Sequence, residues 1–133
     1  MQKIEHIGIA VRDLDKSEKI YEKILGTPSY KREMVESEGV ITSFFKLGMN
    51  KIELLSSTED DGVISKFVNK RGEGIHHIAI AVDDIYSEMK RLKSEGFRLL
   101  NEEPKNGADN KLICFVHPKD TTGVLIELCQ ERE

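Results

Sequence analysis

Four residues of this chain carry the types and the spacing to do metal chemistry. His6 opens the run His6-Ile7-Gly8-Ile9-Ala10-Val11-Arg12-Asp13-Leu14. His77 opens a second run, His77-Ile78-Ala79-Ile80-Ala81-Val82-Asp83-Asp84-Ile85, at an offset of 71 residues. Glu53 lies in Ile52-Glu53-Leu54-Leu55, which is answered by Ile126-Glu127-Leu128-Cys129 at an offset of 74. Between these landmarks Leu25-Gly26 is matched by Glu95-Gly96 at an offset of 70. Three landmarks recurring in one order identify an internal duplication. A carboxylate flanked by aliphatic residues in a strand is costly to bury without a cation or a hydrogen-bonding partner. Two imidazoles and two carboxylates at duplicated positions therefore suit one divalent metal ion.

The elements that must position these residues follow from periodicity. In each opening run the aliphatic residues alternate with His and small residues, the period of a strand with two different faces. Gly8, Ala10, Ala79 and Ala81 share the histidine faces and leave room beside them. A helix follows in each copy. In the first, Asp15 and Glu18 form the capping pair, Ile20, Ile24 and Leu25 the apolar stripe, and Gly26 the stop. In the second, Asp83 or Asp84 starts the helix, Ile85, Met89 and Leu92 form the stripe, and Gly96 ends it. Strands are expected at 29–36, 40–47 and 50–56, and again at 97–102, 111–117 and 123–130. Each copy is thus a βαβββ module, 1–56 and 75–133. Val63, Ile64, Phe67 and Val68 predict a short helix in the connector 57–74. Modules of this size bury little alone. The expected fold is a single α+β domain, with the two modules paired into a curved, barrel-like mixed sheet.

Composition narrows the function classes. Of the 133 residues, 38% are hydrophobic and 33% charged, an ordinary globular balance. A net charge of −4 leaves no footprint for nucleic acid. No apolar run approaches the roughly 18–20 residues of a membrane span. The first residues show no signal-peptide pattern, so the expected location is cytoplasmic. Cys114 and Cys129 are too few for a disulfide framework or a cysteine-based zinc site, and are expected as reduced core residues. His76 is read as a supporting or surface residue, and His117, just before Pro118, as either a ligand contact or a structural loop residue. Lys66, Lys70, Arg71, Lys105, Lys111 and Lys119 are read as solvated charges rather than committed ligand contacts.

The paired His and Glu signatures resemble the vicinal oxygen chelate superfamily, with its glyoxalase-like fold. Glu103-Pro104-Lys105-Asn106-Gly107-Ala108, the run from His117-Pro118-Lys119-Asp120 to Glu127-Leu128, and Gly74-Ile75-His76-His77 together look like the methylmalonyl-CoA epimerases. This resemblance implies a metal-dependent isomerase acting on an acyl-CoA, assembled as a homodimer. It implies His6, Glu53, His77 and Glu127 as ligands of one divalent ion, with cobalt favoured and zinc, manganese, nickel or magnesium as alternatives. It gives Glu127 a second role as proton-transfer base, with Glu53 as its symmetry-related partner. Some members carry a further catalytic Glu three residues after the Gly of a segment matching Glu36-Ser37-Glu38-Gly39-Val40-Ile41-Thr42. Thr42 holds that position here, which makes Glu38 the reserve candidate. The rival readings are a glyoxalase I-like lactoylglutathione lyase and a metal-free drug-sequestering binding protein.

Overall fold

The computed structural model describes residues 1–133. The first alternating run is strand β1 (Lys3–Ala10). Helix α1 (Leu14–Leu25) follows, but its cap is Asp13, whose carboxylate accepts from the Lys16 N–H at 3.0 Å. Asp15 is instead in the first turn, paired with Arg32 at 2.5 Å. The face that packs also differs from the expected stripe. Leu14, Tyr21 and Leu25 pack on Val11, Phe45 and Leu54, whereas the expected stripe residues Ile20 and Ile24 are exposed. Gly26 ends the helix at φ 71, a conformation that costs glycine little.

Strands β2 (Lys31–Val35), β3 (Val40–Leu47) and β4 (Asn50–Ser57) form an antiparallel meander, and β4 then pairs in parallel with β1. Their order is β2-β3-β4-β1. The connector helix is α2 (Val63–Arg71). The second copy repeats the plan with β5 (Gly74–Ala81), α3 (Ile85–Ser94), β6 (Lys105–Gly107), β7 (Lys111–Val116) and β8 (Ile126–Glu131), ordered β5-β8-β7-β6. Asp84 is the cap of α3, accepting from the Ser87 N–H. Ile85, Met89 and Leu92 are buried against Cys114, Val116 and Leu128, as expected. Both cysteines are buried and neither is in a disulfide.

One expected strand is not found. Residues 97–102 make a single bridge, Leu99 to Val116, and the partner of β7 is β6. Two side chains interrupt the ladder. The Phe115 N–H donates to the Asn101 side-chain oxygen at 3.1 Å, and the Arg98 N–H donates to Asp120 at 2.9 Å. Backbone groups satisfied by side chains have no need of a continuous strand partner.

The chain packs as two units, His6–His76 and a second made of Met1–Glu5 with His77–Glu133. The first residues of β1 thus belong with the second copy, where the Gln2 N–H donates to the Ala81 carbonyl. The copies differ at α2. In the first unit, Ile64, Phe67 and Val68 of α2 cover Ala10, Leu55 and Val40. The matching positions in the second unit, Ala81, Cys129 and Lys111, line an open cavity of about 790 Å³. No helix is long and apolar enough to cross a membrane.

Candidate metal centre

The duplication is kept at the level of strand register. Glu53 on β4 lies between Gly8 of β1 and Phe44 of β3. Glu127 on β8 lies between Ala79 of β5 and Phe115 of β7. Paired residues share a face of the sheet, as do residues two apart in one strand. His6 therefore shares the face of Gly8 and Glu53, and His77 that of Ala79 and Glu127. The small residue between each His and Glu leaves the two side chains free to meet.

They do meet. His6 Nδ1 is 3.1 Å from Glu53 Oε2, and His77 Nε2 is 3.6 Å from Glu127 Oε1. All four side chains are buried. The longer separation exceeds a good hydrogen bond. Both match two donors on one ion. Ligands about 2.0–2.2 Å from a metal lie roughly 3 Å apart at a right angle and about 3.4 Å apart in a tetrahedron. The residues present thus fit a divalent ion in donor type, burial and spacing. His6, Glu53, His77 and Glu127 all belong to groups whose ligand atoms lie close enough to hold a metal, and so does Glu5.

Glu5 was not expected. It is buried at 5% exposure, although simple strand alternation would turn it away from the side of His6. The signal available was a charged residue inside an apolar strand. Two lysines were not expected near the glutamates either. Lys31 Nζ lies 4.7 Å from the centroid of the Phe44 ring and Lys105 Nζ lies 5.8 Å from that of Phe115. Each unit thus has an ammonium above the aromatic neighbour of its glutamate, a favourable cation–π arrangement.

The other residues singled out in the sequence have their own surroundings. Thr42 is buried on β3, two residues from Phe44 and on the same face. Glu38 ends the short 3-10 turn Glu36–Glu38 that joins β2 to β3. His76 packs edge-on against Phe67, with ring centroids 4.9 Å apart. Burial, assisted by Arg71, lowers its pKa to about 4, so it is neutral at pH 7. His117 supports a loop: its Nδ1 accepts from the Lys119 N–H at 3.1 Å. Lys111 is not solvated as expected. It is 6% exposed and reaches Glu131 at 3.1 Å.

Comparison with known proteins agrees with this architecture. Residues 5–115 match the model of the Glyoxalase/Bleomycin resistance protein/Dioxygenase superfamily. The human methylmalonyl-CoA epimerase is 41% identical over 96% of this chain and 73% of its own length. An ethylmalonyl-CoA/methylmalonyl-CoA epimerase of Cereibacter sphaeroides is 39% identical over 96% of this chain and 97% of its own. The Streptomyces coelicolor methylmalonyl-CoA epimerase, solved as a single-residue variant in complex with 2-nitronate-propionyl-CoA, superposes with a TM-score of 0.95. It is 34% identical over all of this chain and 99% of that one. The chain belongs to the glyoxalase superfamily, and within it to the methylmalonyl-CoA epimerase family of enzymes.

Proposed function

We propose that this enzyme interconverts (2R)- and (2S)-methylmalonyl-CoA by removing the α-proton and returning one to the opposite face through an enolate. The observation that carries the reading is the repeated, buried His–Glu pair, His6 with Glu53 and His77 with Glu127, at separations that suit ligands of one ion. The relatives with epimerase names, and one bound to a CoA thioester analogue, support the substrate class.

In this reading His6, Glu53, His77 and Glu127 would hold one divalent ion, cobalt favoured. The bound ion supplies Lewis-acid stabilisation of charge on the thioester oxygen. The chain's own groups do the rest. The α-carbon lies between a thioester and a carboxylate, so its proton is already acidic, and a positioned carboxylate suffices to move it. Glu127 moves the proton on one face. Glu53 is its symmetry-related counterpart and Glu38 the reserve for the other face. Burial of the four site residues keeps water from their charges and strengthens every electrostatic contact there. The same reading places the enzyme in the cytoplasm as a homodimer.

The test is solvent-deuterium incorporation into each epimer by the metal-loaded protein. Incorporation at the α-carbon with interconversion is expected. Turnover of a glutathione hemithioacetal without exchange at that carbon would sink the proposal in favour of a lyase.

A further inference from the structure

We propose that Glu33 is the second proton-transfer group of the epimerase reaction, an assignment that rests on the function proposed above. Reversal of a stereocentre through an enolate needs a proton carrier on each face. Glu127 serves one. In the unit His6–His76 the site-bearing face can be read from register. β1 contributes His6, Gly8 and Ala10; β4 contributes Glu53 and Leu55; β3 contributes Thr42 and Phe44. β2 contributes Lys31, paired with Phe44, and Glu33, paired with Thr42. Glu33 and Glu53 are the carboxylates at strand positions of this face, and Glu53 is committed to His6 at 3.1 Å.

Side-chain contacts place Glu33 on that face as well. Lys31 Nζ sits 4.7 Å from the Phe44 ring centroid and 3.7 Å from Glu33 Oε1. The ammonium therefore bridges the aromatic neighbour of Glu53 and the Glu33 carboxylate. Glu33 is about a third exposed, at 35%, so it can exchange its proton with solvent between turnovers. Directly across the ladder, Thr42 is 2% exposed and has no acid–base group for this chemistry. A carboxylate on the adjacent strand, with Cβ about 4.5–5.5 Å away, covers the same patch of surface.

In one direction the α-carbon–hydrogen bond breaks, its proton passes to the Glu33 carboxylate, and the bonding pair enters the enolate. The Glu127 carboxylic acid then returns a proton to the opposite face of the α-carbon. The other direction exchanges the two roles, and each glutamate resets by proton exchange with water.

The experiment follows (2R)- and (2S)-methylmalonyl-CoA separately in D₂O with metal-loaded full-length protein. Glu33→Gln should lower net epimerisation by about 10²-fold or more. One epimer should still exchange its α-proton at close to the wild-type rate, through Glu127, and the other should not. The retained exchange also reports that the variant is folded. Adding Thr42→Glu to Glu33→Gln should recover epimerisation. Wild-type rates for both epimers in Glu33→Gln, or an equal loss for both, would overturn the assignment. A wild type that exchanges neither epimer overturns the epimerase reading itself, and with it this assignment.

Discussion

His6 and Glu53 stand on neighbouring parallel strands and bring an imidazole nitrogen to 3.1 Å from a carboxylate oxygen, both almost fully buried. Buried ionisable pairs of this kind are stabilised further by an ion that replaces lost water. Divalent metal should therefore raise the unfolding temperature. At a free metal concentration 100 times the dissociation constant the gain is about 2.7 kcal/mol. His6→Ala should remove most of that gain while leaving the metal-free protein folded. Thermal unfolding by circular dichroism, with and without cobalt or zinc, measures both. Equal metal-induced shifts in wild type and variant would remove His6 from the ligand set.

Glu127 and Glu53 occupy equivalent registers, yet their substitutions should not be equivalent. Glu127→Gln removes a proton-transfer group and should lower the epimerisation rate by about 10²–10⁴-fold. Glu53→Gln keeps an oxygen donor at the same place. If Glu33 carries the second proton, that variant should lose no more than about tenfold, or roughly 1.4 kcal/mol of transition-state stabilisation. Initial rates together with bound-metal content separate loss of ligand from loss of base. A larger loss in Glu53→Gln with full metal content would assign the second proton to Glu53.

Asp120 accepts from the Arg98 backbone N–H at 2.9 Å, from Nε at 3.0 Å and from Nη2 at 2.7 Å. The side-chain hydrogen bond to Arg98 is the largest reason its pKa falls to about 2 from the ordinary 3.8. A carboxylate held below its unfolded pKa stabilises the fold above that value and ceases to do so as pH falls through the folded one. The contribution should thus be complete above about pH 4 and vanish toward pH 2. Asp120→Asn should be less stable than wild type at neutral pH. Urea unfolding at steps between pH 2 and 5 should show the difference closing over that window. A pH-independent difference would show that Asp120 titrates alike in the folded and unfolded chain, and that Arg98 does not hold its pKa down.

The duplicated His and Glu positions were legible because each is a local signature that occurs twice, and strand register then preserves them. Hydrophobic period likewise announced β1, β5 and the buried face of α3. Features set by contacts between distant segments were not legible. Phe44 and Phe115 become neighbours of the glutamates only through ladder register. Lys105 reads as a surface charge, and Lys31 carries no signal of its own, until β6 and β2 carry them over those rings. The apolar stripe of α1 differs from the expected one because Ile20 and Ile24 outrank Tyr21 in hydrophobicity, while packing on Val11, Phe45 and Leu54 selects the face of Leu14, Tyr21 and Leu25. The run 97–102 has strand composition, but Asn101 and Asp120 take the hydrogen bonds a strand would need.

Ser57 and Gly62 give a last prediction, on the helix that packs against His76. The Ser57 hydroxyl accepts from the Ser65 N–H at 2.7 Å, satisfying a free donor in the first turn of α2. Gly62, at the cap position, is held so close that an added Cβ would lie 2.8 Å from that hydroxyl and 3.3 Å from the Glu59 carbonyl oxygen. Its φ of −68 is open to any residue, so crowding rather than backbone strain sets the cost. Ser57→Ala should cost about 1 kcal/mol as a lost cap. Gly62→Ala should cost about 1–3 kcal/mol as overpacking. Because both act through one hydroxyl, the double variant should lose less than the two single losses added, by about 0.5 kcal/mol or more. Urea unfolding of the four proteins gives the coupling directly. Strict additivity would show that the Gly62 crowding falls on the Glu59 carbonyl and not on the Ser57 cap.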